Sequence, residues 1–247
     1  MSKWVEGTVV AQRHWAGRLF SLQVEAELAP FQAGQFAKLA LAVDGEMVGR
    51  PYSFANAPHE RPHDFYYVVL PGNPLTPRLC KLEPGDAIYL TPHASGFLTL
   101  GEVPTGEHLW LLATGTALGP FLSILKTEAP WQRFERVVLV HAVRRAEELS
   151  YRDQIQSLLA RHAGQFVFVP VVSREHTDFA LAGRIPKAIE DGRLEARAGI
   201  GLTAQSSRLM VCGNPEMVAD TVHALQARGL KKHRRRDPGQ ISVENYW

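Results

Sequence analysis

The tetrapeptide Arg50-Pro51-Tyr52-Ser53 combines three side chains that could bind a flavin nucleotide. An arginine pairs well with a pyrophosphate, and a tyrosine ring can lie flat against an isoalloxazine ring. A serine hydroxyl can form a hydrogen bond near flavin N5, the atom that receives hydride. The same four residues also fit an ordinary barrel edge with Tyr52 half-buried. We place them after the turn Asp44-Gly45-Glu46 and before the next strand.

The second half of the chain contains four apolar runs, at 109–113, 137–141, 166–172 and 208–212, which are separated by helical segments. This alternation predicts strands buried on both faces of a parallel sheet. Ligands of such sheets bind beyond the carboxyl ends of the strands, so the residues after each run are candidates for nucleotide binding. These candidates are Thr114, Gly115 and Thr116, then Val143 and Arg144, then Ser173 and Arg174, and finally Asn214, Pro215 and Glu216.

Two features of these candidates suit a phosphorylated dinucleotide. The turn at 114–120 lacks the G-x-G-x-x-G fingerprint, but its small residues would let a phosphate approach backbone N–H groups. Arg144, Arg174 and the nearby Arg184 could converge on a phosphate monoester, and a 2′-phosphate distinguishes NADP from NAD. Each arginine alone fits a surface position equally well. Together they predict a preference for NADPH.

The elements that must position these residues fall into two halves. Strand-like segments broken by turns, at 7–10, 19–24, 35–41, 65–70 and 87–90, predict a small antiparallel barrel. One helix interrupts them, with Thr76 as the expected cap, Pro77 in the first helical position and an end at Pro84; its start could hold a phosphate. We therefore expect a two-domain β + α/β protein. Its N-terminal antiparallel Greek-key β-barrel covers residues 1–100, and a doubly wound parallel-sheet domain covers residues 101–247.

Composition limits the remaining function classes. With 247 residues and 45% hydrophobic content, the chain can bury a large core, and its net charge of +2 is too small to indicate nucleic-acid binding. Two cysteines are too few for an iron–sulfur site, and the ten histidines lack metal-ligand spacing, so we expect no metal. The first residues lack a secretory signal and no apolar run is long enough to span a membrane, which predicts a cytoplasmic protein.

The charge is unevenly distributed, because residues 231–236 contain five formal positive charges. We call this segment the basic loop. Such a run usually lies on a solvated surface. It could instead form a docking patch for an acidic protein.

Three segments, in chain order, resemble the motifs of ferredoxin–NADP reductases: residues 50–53, residues 114–120 and Cys212-Gly213-Asn214-Pro215-Glu216-Met217. Gly183-Arg184-Ile185-Pro186 and the closing Asn245-Tyr246-Trp247 make the sequence most similar to the bacterial ferredoxin/flavodoxin–NADP reductases. This resemblance implies an FAD-binding barrel followed by an NADP-binding domain. It also implies hydride transfer from NADPH to flavin N5, followed by two single-electron transfers to an acidic carrier, ferredoxin or flavodoxin.

The resemblance assigns residues to both cofactors and to the chemistry. Ser53, Tyr52 and Cys212 are the implied catalytic residues, although Cys212 fits a small buried apolar residue equally well. Trp247 would stack on adenine, and Glu244 could relay a proton or simply lie on the surface. The implied FAD residues are Arg50, Pro51, Tyr52, Ser53, Tyr66, Val68, Val69, Leu75, Thr76, Thr116, Tyr246 and Trp247. The implied NADP residues are Thr114, Gly115, Thr116, Val143, Arg144, Ser173, Arg174, Arg184, Asn214, Pro215 and Glu216.

Two other functions remain open at this point. The chain could be a flavin reductase-like protein that serves an oxygenase or another acceptor, or a nucleotide-binding interaction module without redox activity. The presence of Tyr52, Ser53 and Trp247 favours a redox enzyme over the interaction module, since such a module would not require a flavin-binding face. Nothing in the sequence requires a dimer, so we expect a monomer.

Overall fold

The computed structural model describes residues 3–246 and contains two six-stranded sheets. The first sheet is antiparallel, in the order β4-β3-β6-β1-β2-β5. An isolated bridge between Phe54 and Phe65 joins its two edge strands, so the sheet curls toward a closed barrel. Its strands are β1 (Val5–Ala16), β2 (Leu19–Glu25), β3 (Phe36–Val43), β4 (Glu46–Ser53), β5 (His63–Val68) and β6 (Ala87–Leu90).

Alternating side chains divide this sheet into an inner and an outer face. In β5, Phe65 and Tyr67 enter the barrel core, whereas Tyr66 and Val68 contact the hydrophobic core of the other half of the molecule. This is the period of two that a strand imposes on its side chains. The barrel is therefore filled by apolar residues and presents an apolar outer wall to the second sheet.

The tetrapeptide at 50–53 lies at the end of β4, not between strands as we expected. It pairs with β3, and Pro51 lies opposite Lys38. Proline cannot donate to a strand ladder, but β4 is an edge strand, where one missing N–H is tolerated. The long β1, which spans 12 residues against the four expected, pairs with both β2 and β6.

The interrupting helix, α1 (Thr76–Leu79), is a single turn. The expected cap was wrong: Leu75 occupies the N-cap position and Thr76 is the first helical residue. Asn73 Oδ1 accepts the N–H groups of Leu75 and Thr76 at 2.9 and 3.0 Å. The amide oxygen of Asn73, and not the hydroxyl of Thr76, therefore accepts the free N–H groups at the start of this helix.

The second sheet is entirely parallel, in the order β10-β9-β8-β7-β11-β12. Helices α2 to α4 pack on one face and α5 to α7 on the other, which confirms the expected fold class. The strands are β7 (His108–Thr114), β8 (Arg136–Val143), β9 (Phe166–Val172), β10 (Leu181–Ala182), β11 (Ser207–Gly213) and β12 (Ile241–Asn245). The helices are α2 (Leu118–Leu125), α3 (Ala129–Arg133), α4 (Arg152–Arg161), α5 (Ile185–Glu190), α6 (Arg193–Ala198) and α7 (Pro215–Gln226).

The two halves share one hydrophobic cluster and several polar contacts. Leu19, Ala55 and Tyr66 of the first half pack in the same cluster as residues of α2. The Tyr66 hydroxyl donates to Ser150 Oγ at 2.8 Å, and the Tyr151 hydroxyl donates to Asp64 Oδ2 at 3.0 Å. A boundary between domains at residue 100 stays a prediction. No helix within residues 3–246 is both long and apolar enough to cross a membrane.

Candidate nucleotide-binding and redox site

The end of β4 meets the C-terminal segment of the chain. Ser53 is only 5% exposed, and the Tyr246 hydroxyl donates to Ser53 Oγ at 2.7 Å. The backbone N–H of Tyr246 donates to the carbonyl oxygen of Gly213, the last residue of β11, at 2.9 Å. Three segments distant in sequence thus converge at the carboxyl edge of the parallel sheet, where ligands of such sheets bind.

Cys212 and Glu244 lie side by side, as paired residues of β11 and β12. Burial raises the pKa of the Cys212 thiol well above its ordinary value, and the charge of Glu244 adds to that rise. Burial likewise raises the pKa of Glu244 to about 7. The thiol therefore stays protonated, and the carboxyl exchanges its proton near neutral pH.

Sequence analysis named Glu244 as a possible proton relay, but it missed the strand β12 on which this residue lies. We left open a surface position for Glu244, but the structure places it partly buried against Cys212. The segment Ile241–Asn245 is short and contains a serine, a glutamate and an asparagine, so it is not an apolar run. The only available signal was the spacing of Ile241 and Val243, two residues apart, as in a half-buried strand.

The loops after β7 and β11 contact each other closely. The N–H of Asn214 donates to Thr114 Oγ1 at 3.3 Å. Gly213 has a φ of +146°, and a Cβ at this position would lie 2.1 Å from Thr114 Oγ1. Asn214 Oδ1 accepts the N–H groups of Glu216 and Met217 and so caps α7. The predicted residues Thr114 and Asn214 to Glu216 therefore form one connected surface.

A short 3₁₀ turn, Gly115–Ala117, follows β7 at the same edge. Gly115 has a φ of +54°, and a Cβ there would meet no atom within 4 Å. Thr116 is buried, and its turn contacts both β5 and the strands β7, β8 and β11. This placement puts Thr116 between the two halves of the molecule.

The three predicted arginines lie along the same edge. The N–H of Arg174 donates to Arg144 O at 2.9 Å, so the two residues are backbone neighbours beyond β8 and β9. Arg184 follows β10 as the N-cap residue of α5. All three side chains are exposed, and none makes an ion pair within residues 3–246. Between them, Ser173 donates its N–H to Val143 O at 3.1 Å.

The barrel side of the site presents two strand edges that are not paired with each other within residues 3–246. Beyond the bridge from Phe54 to Phe65, the edge strands β4 and β5 form no ladder within the described residues. The Tyr52 ring packs edge-on against Tyr67, with centroids 6.1 Å apart, and the exposed Arg50 guanidinium donates to Gly49 O. The Arg50 guanidinium, the Tyr52 ring and the two open strand edges are together suitable for binding FAD.

The structure limits how other predicted residues could contact FAD. The side chain of Tyr66 faces the second half of the molecule, so only its backbone could contact a cofactor beside β5. The same applies to the side chain of Val68, which packs with that cluster. The N–H groups of Leu75 and Thr76 already have Asn73 as acceptor, which reduces their availability to a phosphate. Trp247 lies outside the described residues.

Comparisons with known proteins agree with this geometry. Residues 111–223 match the family model described as the oxidoreductase NAD-binding domain. The chain is 47% identical, over 100% of both chains, to a flavodoxin/ferredoxin–NADP reductase from Escherichia coli (strain K12). It is 34% identical to a ferredoxin–NADP reductase from Pseudomonas aeruginosa, covering 99% of this chain and 98% of that protein.

A solved structure shows the same architecture. The crystal structure of a ferredoxin NADP+ reductase from Neisseria gonorrhoeae, with bound FAD and NADP, covers 100% of both chains with a TM-score of 0.95 and 35% identity. The agreement extends over both sheets, and the sequence relatives match at full length. The chain therefore belongs to the flavodoxin/ferredoxin–NADP reductase family.

Proposed function

We propose that Ser53, Cys212, Glu244 and Tyr246 surround the point of hydride transfer in an FAD-dependent oxidoreductase. This enzyme moves electrons between NADPH and ferredoxin or flavodoxin. The observation that carries the assignment is the meeting of β4 with β11, β12 and Tyr246. Bound FAD supplies the redox chemistry, since its N5 accepts hydride and the flavin can release electrons singly.

On the barrel side, the chain's own residues would bind and orient FAD. Arg50 would pair with the pyrophosphate, Tyr52 would hold the isoalloxazine ring, and Ser53 would offer its hydroxyl near N5. Pro51 and the backbone from Tyr66 to Val69 line the adjoining surface, and Thr116 borders both FAD and the nucleotide. In the family, the terminal aromatic residue, here Trp247, would stack on adenine.

On the sheet side, the exposed arginines would select the nucleotide. Arg144, Arg174 and Arg184 offer planar donors to the 2′-phosphate of NADPH, which NADH lacks. Thr114, Gly115 and the cap at Asn214 line the edge where the nicotinamide end would bind, and Cys212 packs beside it. A buried, protonated thiol next to the ring excludes water without adding charge.

Glu244 is the proton-holding group that we propose for this site. Its raised pKa of about 7 allows the carboxyl to gain or lose a proton near neutral pH, and its β-strand neighbour Cys212 is itself protonated. Glu244 would therefore hold or move a proton beside the flavin while the carrier is reduced.

The basic loop is the proposed docking surface for an acidic carrier. Arg235 forms two hydrogen bonds to Glu102, at 2.9 and 2.7 Å, and its guanidinium lies 4.5 Å from the ring centroid of Phe97. Phe97 is 69% exposed, and the adjacent Gly96 borders Glu244, since a Cβ there would lie 3.6 Å from its carboxylate. A basic surface around an exposed aromatic ring thus lies beside the redox site.

Two further expectations are carried forward as proposals: the protein acts as a monomer, and it acts in the cytoplasm. Sedimentation equilibrium across a range of concentrations tests the first. Fractionation of cells with an antibody to the protein tests the second.

The decisive experiment is an anaerobic visible spectrum of the purified protein, before and after NADPH or NADH. The proposal is supported if the protein shows a flavin spectrum and NADPH bleaches this spectrum much faster than NADH does. Replacing Arg144, Arg174 or Arg184 should weaken NADPH and leave NADH unchanged. A protein that remains colourless after incubation with FAD and removal of the unbound FAD would overturn the proposed function.

A further inference from the structure

His141 is a fully buried histidine that neither the family motifs nor the proposed chemistry explains. It lies in the central strand β8, between Ala113 of β7 and Pro170 of β9 in the parallel ladder. Its Nε2 lies 3.0 Å from Gly115 O, the carbonyl of the turn that follows β7. A side chain in the middle of the sheet therefore reaches the loop at the edge of the candidate site.

The hydrogen-bond partner fixes the protonation of the ring. A carbonyl oxygen only accepts, so Nε2 must carry the proton. Burial lowers the pKa of His141 to about 4, which keeps the ring neutral near pH 7 and leaves Nδ1 without a proton. Nδ1 is also buried and has no hydrogen-bond partner within the described residues. An apolar side chain would avoid this unsatisfied atom, so the bond to Gly115 is the evident gain from a histidine here.

This bond orients one peptide plane. In a planar trans peptide, the carbonyl of Gly115 and the N–H of Thr116 point in opposite directions. Because the Gly115 carbonyl points to His141 Nε2, the Thr116 N–H points away from His141. Glycine at a φ of +54° has wide conformational freedom, and the other donor to this carbonyl, the N–H of Leu118, belongs to the same turn. Within residues 3–246, His141 is thus the side chain that ties this carbonyl to the sheet.

We propose that His141 is a positioning residue for NADPH: it holds the Gly115 carbonyl so that the Thr116 N–H is presented to the bound nucleotide. The inference rests on the proposed function, because it takes the 114–116 loop as part of the nucleotide site. It goes beyond that function in assigning a specific role to a residue that no nucleotide would touch.

The test compares two substitutions of similar volume in the FAD-loaded protein. His141→Gln can place an amide N–H near the position of Nε2, whereas His141→Met removes the donor. We expect His141→Met to raise the dissociation constant of NADPH about tenfold, measured by anaerobic stopped-flow bleaching of the flavin, while its FAD content stays unchanged. His141→Gln should bind NADPH within about threefold of the original protein.

His63 provides a matched control in the barrel. It is also fully buried, its Nε2 lies 3.2 Å from Ala26 O, its Nδ1 lacks a partner within the described residues, and burial lowers its pKa to about 4. His63→Met should reduce thermal stability and leave NADPH affinity unchanged. Equal NADPH affinity of His141→Met and the original protein, equal loss in His141→Met and His141→Gln, or an equal effect of His63→Met would each overturn the inference.

A measurement on the original protein covers the case in which the variants fail to fold. Nitrogen-15 NMR of the histidine rings should show His141 as the Nε2-protonated tautomer between about pH 6 and pH 8, and NADP+ should shift the Thr116 amide signal. The opposite tautomer, or an unmoved Thr116 amide, overturns the inference alone. An original protein that NADPH does not bleach overturns the proposed function and this inference with it.

Discussion

The hydroxyl of Ser53 has two hydrogen-bond partners in the proposed site. It accepts a hydrogen bond from the Tyr246 hydroxyl, and it is the residue that we expect to orient toward flavin N5. Contact with both the Tyr246 hydroxyl and flavin N5 requires the hydroxyl of Ser53, because a methyl group can neither accept nor donate a hydrogen bond.

Ser53→Ala should slow reduction of the flavin by NADPH about tenfold to a hundredfold, with little change in NADPH affinity. The control is Ser157→Ala, which removes an exposed hydroxyl that donates to Asp153 O on α4. Stopped-flow absorbance measures both rates. Equal rates in the Ser53 and Ser157 variants would remove Ser53 from the reaction.

Glu244 predicts a pH dependence of stability with a definite sign. Its pKa in the folded protein, about 7, lies above its ordinary value of 4.5, so the folded state binds the proton more tightly. The stabilisation is fully present below about pH 4.5 and is lost as the pH rises through 7. Glu244→Gln should therefore be more stable than the original protein by about 1–3 kcal/mol at pH 8, and this gain should vanish at pH 4.

Urea unfolding at the two pH values, with the fluorescence of the tryptophans as signal, measures this difference. The exposed Glu190, on α5, provides the control Glu190→Gln. A stability gain for Glu244→Gln that is the same at both pH values would contradict a partly buried carboxyl with a raised pKa.

At the scale of elements, the close approach of β7 and β11 depends on Gly213. A Cβ there would collide with Thr114 Oγ1, and the φ of +146° is itself unfavourable for other residues. Gly213→Ala should lower stability by more than about 2 kcal/mol and weaken NADPH binding.

Gly199→Ala isolates the backbone contribution. Gly199 has a φ of +71°, but a Cβ there would meet nothing within 4 Å, so we expect a loss of only about 1 kcal/mol. Thermal unfolding compares the two variants. If both lose the same stability, the steric contact at Gly213 contributes nothing.

Elements also show what the sequence could and could not predict. Long apolar strands such as β8 can be predicted from the sequence, because a strand buried on both faces forms a nearly continuous apolar run. The strand β12 has no such composition, since its pairing with β11 is decided by tertiary contacts. Tyr66 was correctly placed on a strand. Its orientation toward Ser150 could not be predicted from residue spacing, because it too depends on tertiary contacts. Nothing in the sequence indicated a role for His141 at the end of an apolar run, because the Gly115 carbonyl that it contacts is distant in sequence.

At the scale of the whole molecule, the basic loop should govern association with the carrier and not the reaction with NADPH. Arg234→Glu and Arg236→Glu should each raise the KM for an acidic ferredoxin or flavodoxin several-fold at low salt, and high salt should reduce the difference. Reduction of ferricyanide, a small acceptor, should be unchanged. Both arginines are exposed, so their replacement spares the core.

Arg161→Glu makes the same charge change at a distant exposed position, at the end of α4 that lies near the amino ends of the strands. Steady-state kinetics with the carrier compares the three variants. An equal rise in KM for Arg161→Glu would mean that overall charge, and not this surface, determines association.

The hydrophobic cluster that joins Leu19, Ala55 and Tyr66 to α2 has a consequence for how the protein denatures. Neither half can melt without exposing apolar surface on the other, so the two halves form one cooperative unit. Calorimetry should show a single heat-absorption peak whose calorimetric and van't Hoff enthalpies agree. The barrel and the parallel sheet, although built from separate strands, should be lost together.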